Sequence, residues 1–326
     1  MRPVRVVRWA LLLVIGLTAL LIVDLLVLMF FFARPPADMA HSSGPNAVWA
    51  EHDWVGEPQD AADYDALADE FARNGISDVF FHVGPLAGDG TIDPALHPNA
   101  AALIAALEAR LPALRAQAWI GQKEKAAGGP LDLGDASVRA NIVATAARFL
   151  AHGFDGIHYN IEPVADGDPD LLALLDGTRS LTDRQDAVLS LATDEIEPFP
   201  GARQLLGQFL PNADLWSSDY YEEVGERVDQ VAVMMYDTAI PIPWAYSAIV
   251  AWLTPRVWNN IGPDTTLFVG VPTYDGKSWG FHGEAENIRS ALTGVARSMA
   301  GGRPAPRLFG LAIYARWTTD DAEWAY

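Results

Sequence analysis

A carboxyl group placed for proton chemistry stands at Glu162, the last residue of the stretch Gly153-Phe154-Asp155-Gly156-Ile157-His158-Tyr159-Asn160-Ile161-Glu162, which Pro163 stops. The period-2 alternation makes this one β-strand. Ile157, Tyr159 and Ile161 lie on one face, and Gly156, His158, Asn160 and Glu162 on the other. The apolar face can pack under helices, as strands of α/β proteins do, so the polar row must point into an interior. In a closed parallel barrel that interior is normally filled by branched apolar side chains, and a carboxylate at a strand's C-terminal end is where barrel enzymes work. The bland alternative is a buried polar ladder that only fixes the strand's register.

The rest of the chain must supply the barrel. Its 326 residues, 50% hydrophobic and 20% charged, suffice for one barrel and an appendage. The appendage comes first. Residues 9–32 are apolar apart from Gly16, Thr18 and Asp24, long enough to cross a bilayer. Arg2, Arg5 and Arg8 precede this run, which predicts a cytoplasmic N-terminus at 1–8, a transmembrane anchor at 9–33 and a cell-membrane protein whose remainder is extracytoplasmic. A cleaved signal peptide is the rival reading, against which stand the length of the run and the lack of an Ala-x-Ala site after Phe32.

Setting aside Arg2, Arg5, Arg8, Arg34 and Asp24, 18 basic residues face 41 acidic ones, a formal charge of −23. So acidic a domain repels phosphate backbones, and nucleic acid is not expected as a partner. With no cysteine there is neither a disulfide framework nor a thiolate metal site.

Residues 34–45, with Pro-Pro, Ser-Ser and Gly-Pro steps, read as a linker. Strands are then expected at 46–54, 76–83, 115–121, 153–163, 187–193, 229–237, 265–274 and 308–314. Helices are expected between them at 60–74, 94–114, 135–152, 168–183, 220–227, 244–258 and 284–299. The pattern is an α/β fold, a (β/α)8 TIM barrel over 46–326, preceded by one N-terminal transmembrane helix. Asp194, Glu195 and Glu197, beyond the fifth strand, bring further acids to the rim that holds Glu162.

The segment Asp155-Gly156-Ile157-His158-Tyr159-Asn160-Ile161-Glu162 resembles the fourth-strand signature of glycoside hydrolase family 18, the chitinases and endo-β-N-acetylglucosaminidases, which reads Asp-Gly-x-Asp-x-Asp-x-Glu. Asp155, Gly156 and Glu162 match, while His158 and Asn160 replace the second and third Asp. Met234-Met235-Tyr236-Asp237 looks like the family's Met-x-Tyr-Asp at strand 6, and Gly270, Pro272 and Tyr274 match its Gly-x-Pro-x-Tyr at strand 7. Tyr314 stands where the family usually has a Trp at the end of strand 8. Strand 3 departs: Trp119-Ile120-Gly121-Gln122 occupies the place of Ser-x-Gly-Gly.

The resemblance implies a glycosidase acting on β-linked N-acetylhexosamine glycans, such as peptidoglycan or a chitin-like polymer. Glu162 would protonate the leaving oxygen, the substrate's own acetamide would attack the anomeric carbon, and Asn160 would orient that acetamide, as in related enzymes with Asn-x-Glu. Asp155 and Tyr236 complete the implied catalytic set. His158, Asp237, Tyr274, Tyr314, Trp317 and Trp49 are the implied substrate-binding residues, with no metal and no cofactor. Asp275 is a fallback nucleophile. Two alternatives remain: a glycan-binding barrel without chemistry, and a metal-dependent hydrolase using His52, Asp53, His82 and His158, whose spacing fits no His-x-His pattern.

Overall fold

The computed structural model describes residues 2–33, 44–206, 215–274, 276, 280–299 and 309–326. Most of the expected linker, the start of the eighth strand at Leu308 and the fallback Asp275 lie outside these residues. Strands β1 (Asn46–Ala50), β2 (Ile76–Pro85), β3 (Arg115–Lys123), β4 (Gly156–Glu162), β5 (Val188–Thr193), β6 (Gln230–Met234), β7 (Thr266–Pro272) and β8 (Phe309–Tyr314) close into one barrel in chain order. All pairings are parallel, and Ala47 opposite Ala312 closes the ring.

Helix α1 (Arg2–Phe32) precedes the barrel. Around it stand α2 (Asp53–Gly56), α3 (Ala61–Arg73), α4 (Ala100–Arg110), α5 (Ala136–Ala151), α6 (Pro169–Gln185), α7 (Ala202–Leu206), α8 (Ser218–Gly225), α9 (Pro243–Asn260) and α10 (Ile288–Met299). Part of the acidic excess caps these helices. Asp60, Asp135 and Asp168 each accept backbone N–H groups at an N-cap, and Asp60 forms a reciprocal capping box with Asp63.

Several elements differ from expectation: β6 stops at Met234 short of Asp237, α10 starts at Ile288 rather than Glu284, and α7 has no expected counterpart. The first strand ends at Ala50, and His52 instead starts the turn of α2, its carbonyl accepting from Val55 and Gly56. A short apolar run cannot be assigned to strand or helix by periodicity alone. The helix expected over 94–114 divides into a 3-10 turn at Pro94–Leu96 and α4.

Alternation along the strands separates two apolar layers. Ile157, Tyr159, Ile161 and their counterparts pack against the helices, where the Tyr159 hydroxyl meets Thr178 Oγ1 of α6 at 2.9 Å. Trp49, Phe80, Ala232, Phe268 and Ala312 fill the barrel itself. Its floor is polar. Fully buried Asp78 accepts from Arg115 Nε (2.8 Å), Arg115 Nη2 (2.7 Å), Gln117 Nε2 (3.1 Å) and Gln230 Nε2 (2.9 Å). Replacing Asp78 by Ala leaves the Gln230 amide without its acceptor and Arg115 without its counter-ion, whereas Gln117 Nε2 keeps Gln230 Oε1 at 2.7 Å, and is expected to cost about 2–4 kcal/mol. Chemical denaturation checks this, and an unchanged midpoint would show that the floor contributes no stability.

The apolar part of α1, Leu12–Phe32, has 21 residues, a mean hydropathy of 2.8 and no residue buried by the protein. It is long and apolar enough to cross a membrane.

Candidate active site

Glu162 ends β4, and its register against β3 is continuous: Gly121 lies opposite Asn160 and Lys123 opposite Glu162. Gly121 permits this approach, since a Cβ there would fall 2.6 Å from the Asn160 carbonyl oxygen. Above the two strand ends opens a cleft of about 580 Å³, lined by His82, Trp119, Lys123, Asn160, Glu162 and Asp194 among others. Glu162 reaches solvent through it. Asn160 and Glu162 point the same way from one strand, their Cα atoms about 6.6 Å apart.

An aromatic wall rises from the later strands. The ring of Tyr236, just past β6, stacks on Tyr314 of β8 with centroids 5.4 Å apart and planes at 16°. Tyr274, just past β7, meets both edge-on at 6.1 and 5.7 Å, and half-exposed Trp317 meets Tyr314 at 5.8 Å. Gly270 makes room for this wall: a Cβ there would lie 3.2 Å from the Tyr236 ring and 2.7 Å from the Val233 carbonyl oxygen. The Tyr274 hydroxyl donates to Asp237 Oδ1 at 2.8 Å. Asp237 and Ala239 adopt left-handed φ values of 60° and 59°, unusual for residues with a Cβ. Fully buried Glu286 fastens that turn, accepting from the backbone N–H of Thr238 (2.9 Å) and His282 (3.3 Å).

The surrounding protein shifts the titration of these groups upward. Burial pushes Glu162 above the ordinary carboxylate range; its hydrogen bond with Asn160 opposes this, and negative Asp237 adds to it. Burial likewise raises Asp237, with Tyr274 opposing. Burial raises the Tyr236, Tyr274 and Tyr314 phenols too, so all three remain hydroxyl donors at neutral pH. Asn160 Oδ1 is buried and has no hydrogen-bond partner. The arrangement therefore offers a carboxyl group biased toward holding its proton beside a neutral amide with a free acceptor.

The structure thus gathers Glu162, Asn160, Tyr236, Asp237, Tyr274 and Tyr314 at the C-terminal ends of the strands, with Trp317 beside them. Three expected residues lie elsewhere. Asp155 precedes β4 at the opposite end of the barrel, about 23 Å along the strand from Glu162, and caps the β3 edge by accepting from Ala116 N at 2.8 Å. It cannot share in the chemistry. His158 and Trp49 are fully buried one layer below the cleft. Trp49 Nε1 donates to His158 Nε2 at 3.0 Å, and His158 Nδ1 meets Ser190 Oγ at 2.8 Å, so neither side chain can touch a glycan. Burial lowers the His158 pKa to about 3, keeping it neutral in the barrel core.

The same bonds correct the metal reading. Both ring nitrogens of His158 are engaged, and among the described residues no three His, Asp or Glu side chains converge as ligands. Of the rim acids beyond β5, Asp194 lines the cleft, whereas buried Glu197 accepts from Gly201 N and Arg203 N in its own loop. Of the wall of His82, Trp119 and Lys123, only His82 is among the expected residues, as a metal ligand, and the other two are not, because the apolar residues of β2 and β3 give no clear inward row.

No protein-family model and no curated protein matches the chain. Solved structures do match. A Group IV chitinase from Ostrinia furnacalis shares 15% identity over 85% of this chain and 94% of its own, at a TM-score of 0.57. A chitinase from Chromobacterium violaceum shares 16% over 87% and 97%, also at 0.57. The fold is chitinase-like. The Bacillus cereus spore cortex-lytic enzyme SleL superimposes equally well, with 13% identity over 86% of this chain, 73% of its own and a TM-score of 0.57. The chitinase-like barrel thus spans nearly the whole length of the two chitinases, and its cleft opens at the strand ends where (β/α)8 enzymes work.

Proposed function

We propose that this chain is a membrane-anchored, extracytoplasmic glycosidase that cleaves β-linked N-acetylhexosamine glycans by a substrate-assisted, retaining mechanism. The observation that carries the reading is the Asn160–Glu162 pair: a carboxyl group with a raised pKa beside a buried amide whose oxygen has no partner, both at the cleft. Glu162 protonates the glycosidic oxygen as the bond to the anomeric carbon breaks. The acetamido carbonyl of the substrate attacks that carbon, so no second protein carboxylate is required as nucleophile. Asn160 Oδ1 accepts the acetamide N–H and aligns the carbonyl, and the Tyr236 hydroxyl points another donor at the same group. Deprotonated Glu162 then activates the water that opens the cyclic intermediate. Tyr314 and Trp317 supply ring faces for the sugars, with buried Tyr236 stacked behind Tyr314.

Turnover separates this reading from a binding-only barrel. The full chain should release shorter products from N-acetylglucosamine oligomers, whereas binding without products would leave a glycan-binding module. The anchor rests on Leu12–Phe32 and the arginines before it. Protease added to intact cells is expected to remove the barrel, and resistance until lysis would reverse the orientation.

A further inference from the structure

Lys123 is the one lysine or arginine among the residues lining the cleft, and the reaction proposed above makes no use of it. As the last residue of β3 it pairs with Glu162 of β4, which sets their Cα atoms about 4.8 Å apart across the strand gap. Its side chain is exposed and springs from the row of β3 that also carries Trp119 and Gly121. Trp119 lines the same cleft and offers a ring face to a sugar lying over β3.

The protein does not neutralise this cation. Lys125 pairs with Asp132 at 2.5 Å, Arg139 with Asp170 at 2.8 Å and Arg203 with Asp166 at 3.0 Å, while Lys123 joins no ion pair among the described residues. No ion pair or side-chain hydrogen bond among the described residues joins Lys123 to Glu162, whose amide partner is Asn160. Beyond residue 34 the chain has 41 acidic against 18 basic residues, which makes an unpaired lysine in the cleft run against the prevailing charge.

We propose that Lys123 binds a carboxylate carried by the sugar next to the cleaved linkage, so that the substrate is an anionic N-acetylhexosamine glycan. The proposal takes the position of the linkage from the glycosidase reading. One strand spacing is a distance that a single hexose covers, so the charged group belongs on a sugar flanking the bond that Glu162 protonates. A singly charged group is the right match. The cleft sets one ammonium against the carboxyl group of Asp194, and a doubly charged phosphate monoester would meet more repulsion from it than a carboxylate does. The flexible stem of lysine lets a point charge follow an acid on an ether or peptide substituent, where bidentate geometry is not needed.

The test uses the full chain in detergent and an oligosaccharide of alternating N-acetylglucosamine and N-acetylmuramic acid, with its carboxylates free or methyl-esterified. Both Kd and kcat/KM are measured for each form. The wild type should favour the free acid about tenfold, the scale of one charge-assisted hydrogen bond, and the preference should shrink as salt is added. Lys123→Gln should bring the ratio of acid to ester to about one, Lys123→Arg should keep it, and Lys123→Glu should invert it. A merely structural role would weaken both forms together and leave the ratio where it was. Equal affinity of the wild type for acid and ester, binding of neither, or an unchanged ratio in Lys123→Gln would overturn the inference. Preference for the acid without any turnover would uphold it and overturn the hydrolase reading instead.

Discussion

Glu162→Gln is expected to lower kcat on N-acetylhexosamine oligomers by about 10²–10⁴-fold, the range that a positioned general acid contributes. The amide keeps the shape of the carboxyl group and its contact with Asn160 but has no proton to give, so oligomer affinity should survive. Folding should survive too. Burial raises the Glu162 pKa, so whatever stability this group adds is complete below its unfolded pKa and disappears as pH climbs through the folded one. At neutral pH the charged form is therefore a cost, and the uncharged amide should hold or raise the melting temperature. A variant that lost turnover together with its melting transition would show that Glu162 is needed for folding.

The second large effect is expected at Asn160. Asn160→Ala removes the group that orients the acetamide and should lower kcat about 10²–10³-fold, comparable to deleting one preorganised polar contact to a transition state. Asn160→Asp is the informative variant. It places a negative charge beside Glu162, which favours the protonated acid and raises its pKa further. General-acid activity is present below that pKa and lost above it, so the alkaline limb of the pH–rate profile should move to higher pH while turnover is kept or increased. An unmoved limb in an active Asn160→Asp variant would mean that Glu162 is not the group whose proton controls the rate.

Much of this site is legible in the residue order of β4. Its alternation assigns Ile157, Tyr159 and Ile161 to the helix layer and His158, Asn160 and Glu162 to the interior, and both assignments agree with the packing. Alternation gives the face of a residue but not its depth. His158 and Glu162 share a row, yet one is sealed under Phe80, with ring centroids 3.7 Å apart, and the other opens on the cleft. Asp155 falls outside the site for the same reason, since a motif written as one line hides that its first residue lies a full strand length from its last. Trp49 follows His158 because the two side chains bond to each other inside the barrel.

The opposite wall is illegible for another reason. Strand β2 runs as Val79-Phe80-Phe81-His82-Val83, buried on both faces apart from half-buried His82, so no polar alternation marks which side chains turn inward. Lys123, exposed at the end of β3, looks like any solvated surface lysine until the register sets it opposite Glu162. Helix caps are more readable, because Asp60, Asp135, Asp168 and Ser217 stand just before their helices and each accepts the N–H groups that begin them.

The chemistry claimed for the cleft is tested most directly by one comparison with the full chain: an aryl β-glycoside of an N-acetylglucosamine disaccharide against the same compound with a 2-hydroxyl in place of the 2-acetamido group on the reacting sugar. Aryl release is expected from the acetamido compound alone, with the β-anomer as the first-formed sugar. Equal release from both would show that a protein carboxylate, not the acetamide, attacks the anomeric carbon. Release from neither, with the oligomers still bound, would contradict the enzyme reading altogether.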